Sequence, residues 1–169
     1  MVAIAHVAAE RFDHLDGYAG ASQQLRPLNT LAEAGDGRLW YATSSSVGVI
    51  DPRRIARNPV APTPVITGLT TDRRRHPAIN GLSLPRHTHN LRIDFTAAVL
   101  AVPERARFRT RLVGQDHAWR DGGALRQAFY TNLGPGDYRF EVMAANEDGL
   151  WSLAPASLRF SIAPAFYQA

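Results

Sequence analysis

The chain has no cysteine and no lysine. Without cysteine there can be no disulfide, no thiolate nucleophile and no cysteine-ligated metal. That absence does not decide the compartment, because extracytoplasmic domains without disulfides are common. All 19 basic residues are arginine, which reads as the codon bias of a GC-rich genome. No apolar run approaches the roughly 18 residues needed to cross a bilayer. Residues 1–10 carry no basic region ahead of their apolar stretch, so they do not form a secretory signal. Any export signal is expected outside this sequence.

The chemistry of catalysis is missing as well. The chain has no glycine-rich phosphate loop. Ser44–Ser46 has no attending His/Asp arrangement, and the scattered carboxylates form no acid/base pair. The expectation is no catalytic residue, no cofactor and no metal. His87 and His89 lie two apart with His76 nearby. On one strand the pair would project from one face as metal ligands could, but Pro85 and the lack of neighbouring Asp, Glu or Cys favour solvated loop histidines.

What the chain does have is the composition of a folded β protein. Of its 169 residues 45% are hydrophobic, and 13 glycines and 11 prolines fall between short apolar runs. That spacing predicts strands and turns. Residues 1–58 hold six arginines and six acids. Residues 59–169 hold thirteen arginines and nine acids, and so carry the whole net charge of +4. A basic surface can attract anions, although this charge is also ordinary for a soluble domain.

In the first segment Asp36-Gly37 marks a tight turn. The run 38–43, the turn Ser44–Ser46 and the run 47–50 predict a hairpin, with one more strand between Asn29 and Ala32. Trp40 is assigned to the core of this small sheet. Four prolines between 52 and 64 predict a solvated linker, with at most one helical turn at Arg53–Arg57. From 64 to 163 strands are predicted at 65–70, 91–96, 107–112, 129–133, 138–145 and 158–162. Apolar and polar residues alternate along most of them, as they do when one face is buried and the other wet. Such a set in about 100 residues predicts an immunoglobulin-like sandwich of two antiparallel sheets. Tyr138, Phe140, Val142, Leu91, Ile93, Phe95, Phe108, Phe160 and Ile162 should face inward. The alanine-rich stretch 97–107 is read as a loop with at most one helical turn.

Leu133-Gly134-Pro135-Gly136-Asp137-Tyr138 has the form of a tyrosine corner. Pro135-Gly136 makes the turn, Tyr138 enters the core, and its hydroxyl should bond to backbone just upstream. Arg107, Arg109 and Arg111 share the outer face of one strand, with Glu141 expected nearby as a partial offset. They are a candidate partner face. The aromatics are assigned inward, with Trp119 and Trp151 at the core edge. Nucleic acid is therefore not expected as a partner, since its binders interleave basic groups with exposed stacking aromatics.

Together, Arg109-Thr110-Arg111-Leu112-Val113-Gly114, Asp116, Trp119, Tyr130-Thr131-Asn132-Leu133, Pro135-Gly136-Asp137-Tyr138 and Ala144-Ala145-Asn146 resemble the "three Y" domain of bacterial two-component regulators. Asp36–Thr43 with Val47–Pro52 is similar to the propeller repeats of the same proteins. Ala163-Pro164-Ala165-Phe166-Tyr167 resembles the segment that leads into their membrane helix. Thr110 departs from the pattern by standing where the family usually has a tyrosine. The resemblance implies an all-β fold, with a partial β-propeller blade and linker at 1–58 and a fibronectin type III-like sandwich at 59–169. It implies a non-catalytic periplasmic signal-relay fragment of a membrane-anchored two-component sensor, whose histidine kinase or other output domain is absent from this chain. Family sensors work as dimers, so a homodimer through 1–58 or through the sandwich is expected, and the signal ligand is left unnamed. Two alternatives stay open: a carbohydrate-binding or adhesion module of the fibronectin type III kind, and an accessory domain of a secreted enzyme.

Overall fold

The computed structural model describes residues 13–21, 29–72, 74–86 and 88–164. The chain divides into two compact units, with the boundary between Arg57 and Asn58. Both are built from strands, and the fold is all-β. No helix among the described residues is long and apolar enough to cross a membrane.

The first unit contains a three-stranded antiparallel sheet of β1 (Leu31–Glu33), β2 (Leu39–Ala42) and β3 (Val47–Ile50), with β2 in the middle. The β2–β3 turn is closed by Thr43, whose hydroxyl accepts from the Ser46 amide at 3.0 Å and donates to the Ala19 carbonyl at 2.6 Å. On one face the Tyr41 ring lies over Gly48, where any side chain would collide with it. The other side of that ring stacks on Tyr18 at 4.7 Å. Trp40 does not occupy a core. It pairs with Val49 on the opposite face, and both are exposed. The reason is that a three-stranded sheet has two faces and buries only one by itself. Arg53–Arg57 forms no helical turn; the chain makes a tight turn closed by the Arg54 amide on the Asp51 carbonyl at 3.0 Å.

The second unit is a β-sandwich. One sheet runs β10-β7-β4-β5, made of β4 (Pro64–Thr71), β5 (Arg74–His76), β7 (Asn90–Ala97) and β10 (Gln127–Thr131). The other runs β6-β12-β11-β8-β9, made of β6 (Leu82–Leu84), β8 (Arg107–Val113), β9 (Arg120–Gly123), β11 (Gly136–Ala145) and β12 (Ala156–Ile162). Alternation predicts the long strands well. It does not reveal β5 and β9, which are short and polar, or β6, whose Leu-Ser-Leu is too short to show a pattern. The sheets are not wholly antiparallel either, since β6 pairs parallel to β12. One 3₁₀ turn, Pro103–Arg105, lies in the alanine-rich stretch.

The core lies between the two sheets. All nine residues assigned inward are buried, among them Phe108 and Phe140 at 0% exposure. Phe95 meets Phe108 at 5.3 Å and Phe140 at 5.9 Å, so the rings of facing sheets interdigitate. Phe129 is an exception among the aromatics. It sits at the outward phase of β10 and is 63% exposed.

Candidate functional site

The motif residues at the corner act on the fold. The Tyr138 hydroxyl donates to the Gly134 carbonyl at 2.9 Å, the upstream bond expected of such a turn. Tyr138 stacks on Phe160 at 5.5 Å, and Tyr130 meets Phe140 edge-on at 6.3 Å. The Tyr130 hydroxyl donates to Asp116 Oδ2 at 3.1 Å, and the same oxygen accepts the Leu112 amide at 2.8 Å. Burial, then the nearby Asp116 charge, push the Tyr130 hydroxyl well above its usual pKa. Thr110, in place of a tyrosine, is buried, and its hydroxyl offsets a small part of that rise. Gly114 has φ +104, and a Cβ there would meet the Asp137 carbonyl and the Tyr138 ring, each at 3.2 Å. The Leu-x-Gly turn therefore requires glycine both for its backbone angle and for its close approach to the corner.

The arginine-bearing face is the outer surface of the five-stranded sheet, and much of its charge is already engaged. Arg111 places Nε at 3.1 Å and Nη2 at 2.6 Å from Glu141 Oε2. Arg139 brings Nε to 2.9 Å from Glu141 Oε1, close enough for an ion pair but not aligned as a hydrogen bond. Asp121 serves Arg107 at 3.2 Å and Arg109 at 3.9 Å. The tryptophans are here too, which corrects their assignment to the core edge. The Arg109 guanidinium lies 4.3 Å from the Trp151 ring centre, and that of Arg111 lies 4.8 Å from Trp119. Cation–π contacts of this kind fix ring and guanidinium together. One face of each ring is thus covered by a cation, which disfavours sugar stacking there. Trp151 reaches this side because it bridges to Ala145, whose side chain is at the outward phase of β11.

One residue named from sequence only as part of the family motif has a structural role of its own. Asn146 is 2% exposed. Its amide nitrogen donates to the carbonyls of Asn58 at 2.9 Å and Val60 at 3.1 Å. Its oxygen accepts the amides of Asp148 at 3.1 Å and Leu150 at 2.9 Å. The Asn58 amide donates to Asp148 at 2.6 Å, and its side chain donates to Glu147 at 2.9 Å. The middle of the predicted linker, residues 58–60, is therefore clamped to the β11–β12 loop. A partnership across some 88 residues leaves no local pattern.

Among the described residues no histidines assemble into a metal group. His87 lies outside the described residues, as does the Ala165-Phe166-Tyr167 end of the predicted membrane-proximal segment. His89 is in a loop. The His76 Nε2 hydrogen-bonds the Thr71 hydroxyl at 2.8 Å. The described residues contain no group of three or more His, Asp or Glu placed to hold a metal.

The comparisons with known proteins fit this geometry. The family model of the Y_Y_Y domain matches residues 100–163, from within the alanine-rich stretch through β12. No curated protein sequence matches the chain. Among solved structures, the chain is similar to the extracellular domain of BT3049 from B. thetaiotaomicron, described as a hybrid two component system. Identity is 18% and the TM-score 0.71, over 90% of this chain and 22% of that one. It is also similar to the extracellular domain of BT4673 from the same organism, described as a one component system in one structure and a hybrid two component system in another. Both are 20% identical, with TM-scores of 0.56 and 0.53 over 80% and 79% of this chain. At these identities the likeness shows the fold. The chain spans about a fifth of the length of these structures.

Proposed function

We propose that this chain is a non-catalytic, extracytoplasmic sensor segment that passes a conformational signal towards an output domain lying outside it. One observation carries the reading: a Y_Y_Y match in the sandwich coincides with a backbone likeness, over 90% of the chain, to the extracellular domain of a two component system. On this reading the segment is periplasmic, its parent is anchored in the membrane, and the sandwich is of the fibronectin type III kind. The small sheet of the first unit is then part of a propeller blade. Such blades have four strands packed against neighbours, which agrees with a three-stranded sheet that leaves Trp40, Val47 and Val49 exposed.

The Asn146 clamp gives the relay a physical element. It fastens residues 58–60 to the loop that ends β11, the strand at the centre of the five-stranded sheet. A pull or twist on residues 58–60 is transmitted to β11 in place of being absorbed by slack chain. The test is the output of the full-length protein in cells. Asn146→Ala is expected to blunt the response while the protein stays at its normal level in the membrane. An unchanged response at equal protein level would remove the relay role.

A further inference from the structure

A groove of about 420 Å³ crosses the outer face of the five-stranded sheet, away from the tryptophans, and is lined in part by Arg139, Arg159, Asp137, Ser161 and Gly81. Its construction follows from strand register. Arg139 on β11 stands directly opposite Arg159 on β12. Like charges facing each other across strands oppose folding, so such a pair calls for a counter-charge. Glu141 supplies part of one, but it is shared between Arg111 and Arg139. Among the described residues Arg159 has no ion-pair partner, and it is exposed. Its backbone is nonetheless held on both sides. Its amide donates to Asn80 Oδ1 at 2.9 Å, and its carbonyl accepts the Gly81 amide at 2.9 Å. Gly81 has φ +81 and open space where a side chain would stand. The turn before β6 thus leaves open space at the groove's edge.

Counting Arg111, Arg139 and Arg159 against Glu141 and Asp137 leaves one positive charge. A fixed base, a free guanidinium and an adjacent void are what a planar or tetrahedral oxyanion requires, because guanidinium presents paired donors to such groups. We propose that this groove binds an anionic oxo group, a carboxylate, sulfate or phosphate, with Arg159 as its principal donor and Arg139 as the second. Asp137, on the rim, opposes the anion and limits affinity. The inference does not depend on the sensor reading.

The test is titration of the 169-residue chain with sodium acetate, sodium sulfate and sodium phosphate, at ionic strength held constant with chloride. Amide shifts in two-dimensional NMR would be followed at Gly81, Arg159 and Ser161. Saturable shifts confined to the groove are expected, and the three salts separate carboxylate from sulfate and phosphate as the preferred group. Arg159→Gln should weaken binding about three- to tenfold, the scale of one partly solvated charged hydrogen bond. Asp137→Asn should tighten it, a gain that a merely structural role for Asp137 would not produce. Arg107→Gln, on the same face but outside the groove, should leave it unchanged. Non-saturating shifts with all three salts, or equal binding by wild type and Arg159→Gln, would overturn the proposal.

Discussion

Glu141 shows how much depends on where a charge sits. Its side chain is almost fully enclosed although it faces the outer side of the sheet, and two arginines converge on it. Glu141→Gln leaves Arg111 half-buried against a neutral amide and should cost about 1–3 kcal/mol in chemical denaturation. Asp121 also serves two arginines but is exposed, so Asp121→Asn should cost no more than about 0.5 kcal/mol. Equal costs would mean that the enclosure of Glu141 has no energetic weight. At this scale the sequence was partly readable. The Tyr138 corner is local, with donor and acceptor four residues apart. The Arg111–Glu141 pair follows once both strands alternate. Trp119 and Trp151 were misassigned because each meets its arginine through a loop whose course alternation does not describe. The clamp made by Asn146 was missed for a similar reason, since its acceptors lie in a different part of the chain.

Among the elements, β11 organises the sandwich. It is the longest strand, lies between β12 and β8, and brings Phe140 against Phe95 and Tyr130 of the facing sheet. Phe140→Ala should therefore lower unfolding free energy by about 3–5 kcal/mol, the range for emptying a buried aromatic site. A loss near zero would mean that the two sheets do not share this core. Strands β7, β8, β11 and β12 were legible because apolar side chains recur at every second position along most of each. β9 reads Arg-Asp-Gly-Gly and has no intrinsic strand preference. Its pairing with β8, and Asp121 beneath Arg107 and Arg109, make it a strand. β6 has three residues and takes its parallel place because β12 offers an edge there.

For the whole molecule, among the described residues the sheet of the first unit ends at β1 and β3, and Trp40, Val47 and Val49 are exposed. Unpaired edges and apolar faces recruit partners. Self-association of the 169-residue chain is therefore expected by light scattering, and Trp40→Arg should shift it towards monomer. A strictly monomeric chain at high concentration would contradict this. The sensor reading itself is tested most directly by position relative to the membrane. The chain has no cysteine, and Leu153 is 96% exposed in the loop before β12. A Leu153→Cys substitution therefore gives this segment a single reporting thiol when introduced into the full-length protein, with the unsubstituted parent as background. The measurement is labelling by a membrane-impermeant maleimide in cells whose outer barrier is opened but whose inner membrane is intact. An extracytoplasmic sensor segment predicts labelling above background before lysis. Labelling that appears only after the inner membrane is broken would contradict it.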